Sequence, residues 1–267
     1  MARGTYISEN LTQPQIEMML LLDEYEMDIF TLQELQELSA HQFDNFNELV
    51  ENLSHKKILS RIERGKYCRS NFRDEKVIGT RLVEYGALAY WSALNLHGLI
   101  KQFPNSVFIQ TTKVKPPKQV FGLTYKFVKI TPKKKTGIIK EGHGNHSYAI
   151  SDIEKTIVDY FDLPQHTGGF ADLIRAFDTA KVSEDKMMEY CKAVNNLAAT
   201  NRIGYLSEML DKKGMKSFIR FAKDQLTQTY NPLGPLGVET GKYNAEWKLK
   251  LNISEAEVLK IVSQNCY

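Results

Sequence analysis

At 267 residues, with 42% hydrophobic and 25% charged residues, the chain has apolar material for two ordinary cores and lacks the composition of a disordered polymer. No stretch approaches the ~18 apolar residues of a membrane span, and the opening residues MARGTYISENLTQPQ hold no apolar signal region; a cytoplasmic protein without membrane contact is expected. Net charge is +3, but residues 1–75 carry 8 Lys+Arg against 14 Asp+Glu, so the excess of positive charge lies beyond them. Lys101 to Lys140 holds 10 lysines and no Asp, Glu or Arg, a bias that suits either a solvated face or an anionic partner. Cys68, Cys191 and Cys266 stand far apart, with no Cys-x-x-Cys pair and no histidine at metal spacing, which predicts free thiols and no zinc site.

In chain order, residues 14 to 25 place Ile16, Met19, Leu20 and Leu22 at helical spacing, with Pro14 in the first turn. Thr31-Leu-Gln-Glu34 is a capping box and predicts a short helix from Leu32 to Leu38. Phe43, Phe46, Leu49, Val50 and Leu53 form the apolar stripe of a third helix, whose other face shows His41, Gln42, Asp44, Asn45, Glu48 and Asn52. Periodicity then turns to alternation through Ile58, Ser60 and Ile62. The turn Glu63-Arg64-Gly65-Lys66 follows, then Tyr67 and Arg69, as in a two-stranded hairpin. Three short helices closed by a hairpin predict a winged helix-turn-helix over residues 1–75, with a polar linker at 71–80.

A larger mixed domain, 76–267, makes the expected class α+β. Arg81 to Leu96 reads as one broad apolar helix ended by His97-Gly98. Between Asn105 and Ile139, β-rich pieces broken by Pro116-Pro117 and Pro132 read as a small antiparallel sheet. Ser151-Asp-Ile-Glu154 is read as a second capping box, starting a helix through Phe161. Helices follow at about 170–180, 184–198, 201–211 and 215–227, then an extended piece at Trp247 to Leu251 and a last helix from Ser254.

Residues 55 to 73 hold Lys56, Lys57, Arg61, Arg64, Lys66, Arg69 and Arg73 against only Glu63, the kind of cluster that neutralises phosphates. Gln42 and Asn45 carry amides able to pair with adenine edges in a major groove. Asp44, Glu48 and Glu51 on the same helix oppose phosphates, and winged helices also bind proteins, so the helix alone leaves both uses open. Lys113, Lys115, Lys118, Lys133, Lys134 and Lys135 sit on predicted turns as a candidate basic contact surface. His97 reads as a helix-end residue satisfying a carbonyl, Glu154 as a cap and Lys155 as the i,i+4 partner of Asp159. Asp152-Ile-Glu154 has a spacing that a magnesium site could use, but there is no Gly-Ser dipeptide and no legible Ser-His-Asp, Cys-His or zinc arrangement. No catalytic residue, metal or cofactor is therefore predicted.

Three segments, Tyr90-Trp-Ser-Ala-Leu-Asn-Leu-His-Gly98, Ser151-Asp-Ile-Glu-Lys-Thr156 followed by Gly168-Gly169, and Arg202-Ile-Gly-Tyr-Leu-Ser-Glu-Met-Leu210, occur in an order that resembles the AbiEi antitoxin family. That resemblance implies an antitoxin of a type IV toxin-antitoxin system of phage defence, which also represses its own operon by binding inverted repeats in double-stranded operator DNA. The implied partner is an AbiEii-like nucleotidyltransferase toxin, opposed without a stable complex. The absence of a coiled-coil seam predicts a monomer that pairs on DNA. The alternative is a winged-helix regulator whose second domain binds an unrelated protein or a ligand.

Overall fold

The computed structural model describes residues 10–40, 42–102, 105–166, 168–235 and 240–264. His41 and Cys266 lie outside the described residues. The chain divides into two compact units: residues 1–82 with Glu141–Tyr148, and residues 83–140 with 149–267. Both mix helix and sheet, so the fold is α+β.

The first unit runs α1 (Gln13–Glu24), β1 (Ile29–Thr31), α2 (Leu32–Leu38), α3 (Phe46–His55), β2 (Leu59–Glu63), β3 (Lys66–Arg69) and α4 (Glu75–Arg81). The capping box at α2 is formed: the Glu34 amide donates to Thr31 Oγ1 at 3.1 Å, and the Thr31 amide donates to Glu34 Oε2 at 2.8 Å. The β2–β3 hairpin turns at Gly65 (φ 73°) and is joined by β1, which pairs antiparallel with β3 to give the order β1-β3-β2. Met18, Leu22, Phe30, Leu35, Val50, Leu53, Leu59 and Tyr67 close the core between the helices and this sheet.

Two expectations are corrected in this unit. Helix α3 begins at Phe46, because Asn45 adopts a left-handed conformation (φ 51°) and breaks the turn that carries Gln42 and Phe43. The stretch read as a linker contains α4, whose N-cap Asp74 accepts from the Lys76 and Val77 amides at 2.9 and 3.2 Å.

The second unit begins with β4 (Ala87–Leu88) and α5 (Tyr90–Leu96). The single helix expected from Arg81 to Leu96 does not form: Tyr85 has φ 55°, and Ala87 and Leu88 extend into a sheet. Strands β5 (Ser106–Thr111), β6 (Lys118–Val120), β7 (Leu123–Lys129), β8 (Ile138–Glu141) and β9 (Tyr148–Ser151) complete a six-stranded sheet of order β6-β7-β5-β4-β9-β8. It is mixed, not a small antiparallel sheet. Strand β7 returns from β6 and inserts beside β5, so that β5 and β7 run parallel without a helical crossover; β4 and β9 are also parallel.

Helices α6 (Ile153–Asp162), α7 (Phe170–Thr179), α8 (Glu184–Val194), α9 (Leu197–Met209) and α10 (Lys216–Asp224) follow. A small sheet of β10 (Asn231–Pro232), β11 (Lys242–Asn244) and β12 (Leu249–Leu251) precedes α11 (Glu255–Ser263). The cap of α6 is Asp152, which accepts from the Lys155 amide at 2.8 Å. Ser151 belongs to β9, where its hydroxyl meets Thr156 Oγ1 at 2.7 Å, and Glu154 instead accepts from the Ser183 amide at 2.9 Å. The core gathers Ile157, Phe161, Ile174, Phe177, Ile203, Leu206, Phe218 and Trp247.

Candidate nucleic-acid interface

In the first unit the cations of the sequence cluster separate into two groups by their partners. Lys56 donates to the Asn10 carbonyl at 2.6 Å and to Gln15 Oε1 at 2.8 Å, tying the end of α3 to the start of α1. Lys66 donates to the Arg81 and Leu82 carbonyls at 2.9 and 3.0 Å, where it caps the C-terminus of α4. Arg69 pairs with Asp23 at 2.6 Å and Asp28 at 3.2 Å. These three side chains hold the unit together. Lys57, Arg61 and Arg64 are exposed: Lys57 turns the chain from α3 into β2 with φ 59°, and Arg61 and Arg64 stand beside and on the hairpin turn. Arg73 is exposed past the hairpin, its Nη1 donating to the Phe72 carbonyl at 2.7 Å.

Gln42 is exposed but precedes α3, and Asn45 is its exposed N-cap residue, without a side-chain capping bond. The outward residues of α3 include Asn47, Glu48, Glu51 and His55. This helix therefore offers amides at its start and carboxylates along its middle. A polyanion meets favourable charge at the hairpin and unfavourable charge at Glu48 and Glu51.

Glu141–Tyr148 adds to this unit a contribution that sequence reasoning missed. The His146 Nε2 lies 2.7 Å from an Asp28 carboxylate oxygen, its ring is 5.5 Å from that of Phe72, and Asn145 donates to the Tyr25 carbonyl at 2.6 Å. No local periodicity signals contacts across 74 to 120 residues.

The lysines of the second unit are likewise divided. Lys113 pairs with Glu84 at 3.4 Å, and Lys134 pairs with the nearly buried Asp162 at 2.5 Å. Lys115 lies 5.4 Å over the Phe127 ring, and Lys135 lies 4.1 Å over Tyr85. Lys118 starts β6 half-buried; Lys133 is exposed in a 3-10 turn, and Lys126, Lys129 and Lys140 are exposed as well. An open cavity of about 430 Å³ is lined by Gly98, Lys101, Gln102, Asp172 and Arg175 among others.

The quoted sequence segments have structural uses. His97 Nε2 donates to the Ser151 carbonyl at 2.7 Å, joining the first segment to the second. Lys155 and Asp159 form a fully buried ion pair. Burial raises the Asp159 carboxyl to about 6 even against the Lys155 ammonium. Arg202 donates to the Pro232 carbonyl at 2.8 Å, and burial lowers it to about 10. Glu208 accepts from Trp247 Nε1 at 2.6 Å and from Lys223 at 2.7 Å.

Among the described residues no group of three or more His, Cys, Asp or Glu side chains is placed to hold a metal ion. Burial raises Cys68 to about 11 and Cys191 to about 12, so neither is a thiolate at neutral pH. No helix of the described residues is long and apolar enough to cross a membrane.

No protein-family model matches the sequence, and no curated protein matches it. Among solved structures, the crystal structure of the RV2827C protein from Mycobacterium tuberculosis is similar, with a TM-score of 0.65 at 13% identity, covering 96% of this chain and 97% of that one. At that identity the likeness is one of fold.

Proposed function

We propose that this chain is a DNA-binding autorepressor and antitoxin of the AbiEi type, with no chemistry of its own. The observation that carries the DNA-binding part is the exposure of Lys57, in the turn leading into the β2–β3 hairpin, and of Arg61 and Arg64 on the hairpin itself. The order helix, strand, helix, helix, hairpin, with the first strand completing a three-stranded antiparallel sheet, supports reading this unit as a winged helix-turn-helix. The hairpin neutralises phosphates, while Gln42 ahead of α3, its N-cap Asn45 and Asn47 in its first turn are the amides available for base edges. Glu48 and Glu51 keep the middle of α3 from lying close to the backbone, so the approach is led by the hairpin. Two copies meet on an inverted repeat, since one such module reads few base pairs.

The antitoxin part rests on the ordered segments at Tyr90–Gly98, Ser151–Thr156 and Arg202–Leu210. Its contact surface is the set of exposed lysines that includes Lys133 and Lys135, and Lys113, which pairs with Glu84. The expected result is a shift of the chain's own upstream DNA over a scrambled duplex, together with relief of toxicity when the chain is co-expressed with an AbiEii-like nucleotidyltransferase. Loss of both would overturn the reading.

A second reading is favoured by the carboxylates on α3: the first unit contacts a basic protein and the second unit serves a different partner or ligand. Glu48→Lys/Glu51→Lys separates the two readings. It tightens DNA binding in the first and abolishes partner binding in the second.

A further inference from the structure

The small sheet β10-β12-β11 has one face committed to the core: Leu249 is fully buried, beside Trp247 and Leu233. Strand alternation then turns Lys250 outward. The register pairs Tyr243 with Lys250, so Tyr243 shares that outer face, and it is 66% exposed. Tyr230, immediately before β10, completes the group: its ring centroid is 5.1 Å from that of Tyr243, with the planes at 89°. Lys248 lies 5.4 Å over the Tyr230 ring and Lys250 lies 5.8 Å over the Tyr243 ring. Glu246, the nearest acid in sequence, is held by Lys223 at 2.6 Å.

We propose that Tyr230, Tyr243, Lys248 and Lys250 form a binding site for single-stranded nucleic acid on the outer face of this sheet. The tyrosines contribute nothing to the core that anchors the sheet, and they leave aromatic surface in solvent beside two ammonium groups. Unpaired bases stack on such rings while lysines swing from ring to phosphate, the pairing of forces used by sequence-tolerant single-strand binders. A duplex hides its base faces and gains only the charge contacts. The site lies in the second unit and does not depend on the hairpin of the first.

The test uses the full chain carrying Lys57→Ala, Arg61→Ala and Arg64→Ala, so that hairpin binding does not contribute, with fluorescein-labelled dT20 and U20 followed by anisotropy. Binding of either oligonucleotide is expected, with little competition from duplex DNA or polyglutamate; preference between the two identifies DNA or RNA. Tyr230→Ala and Tyr243→Ala are each expected to weaken binding by roughly 5- to 150-fold, from the usual strength of one stacked base. Tyr230→Phe and Tyr243→Phe retain binding, which also guards against an effect of misfolding. Unchanged affinity in the alanine variants, or equal displacement by polyglutamate, overturns the proposal. So does failure to bind either oligonucleotide. Because the hairpin is already neutralised, none of these outcomes bears on operator binding.

Discussion

Adding a single methyl group at Gly204 tests how the C-terminal sheet is locked to the helices. A Cβ there would lie 2.5 and 2.6 Å from two ring carbons of Trp247 and 2.7 Å from the Ala222 Cβ. The indole cannot easily withdraw, because its Nε1 donates to Glu208 and it is 1% exposed. Helix propensity favours Ala over Gly by about 1 kcal/mol within α9, whereas overpacking costs typically 1–3 kcal/mol. With two contacts under 3 Å on a fixed ring and a third on the Ala222 Cβ the upper part of that range applies, so Gly204→Ala is expected to destabilise by roughly 1–2 kcal/mol net. For a domain of roughly 150–250 residues, that lowers the melting temperature by about 2–8 °C. Urea denaturation followed by circular dichroism reads the effect. Trp247→Phe removes the crowding ring carbons, so Gly204→Ala should cost far less in that background, a coupling of about 1–2 kcal/mol. A Gly204→Ala chain as stable as wild type, or an undiminished cost beside Trp247→Phe, would refute the packing argument.

Lys66→Ala and Arg69→Ala should each lose about 1–3 kcal/mol of stability, since they remove charge-assisted bonds from half-buried groups. Their DNA-binding salt dependence should stay that of wild type, and a flattened dependence would return them to the interface. Asp159 has its folded value raised to about 6 by burial, against an ordinary value near 4. The folded chain thus holds that proton more firmly than the unfolded chain. The stability it contributes is fully present below about pH 4 and is lost as pH rises through about 6. Asp159→Asn should therefore gain on wild type as pH increases across that window in denaturation midpoints, and a gain in the opposite direction contradicts the assignment.

Local chemistry made much of the helical frame readable. The Thr31 box satisfies its own backbone donors within three residues and α2 keeps the expected bounds, and the last helix, expected from Ser254, has Ser254 as its N-cap. What escaped depended on partners distant in sequence. β1 exists because Ile29, Phe30 and Thr31 pair with Cys68, Tyr67 and Lys66, and β4 is two residues held between β5 and β9. Neither run is long enough to show a period. At the candidate interface, the basic cluster was legible as composition but its division was not. Lys56, Lys66 and Arg69 are drawn inward by Gln15, by helix-end carbonyls and by Asp23 and Asp28, none of which is an immediate neighbour in the chain.

The most direct test of the proposed regulator is the affinity of the full chain for its own upstream duplex across a salt series, compared with the Lys57→Ala/Arg61→Ala/Arg64→Ala variant. Site-preferring binding that weakens with salt is expected, with a log–log slope flatter in the variant by about 0.9 per lost phosphate contact, roughly 2.7 for each bound copy. Equal slopes, or no preference over a scrambled duplex, would contradict it.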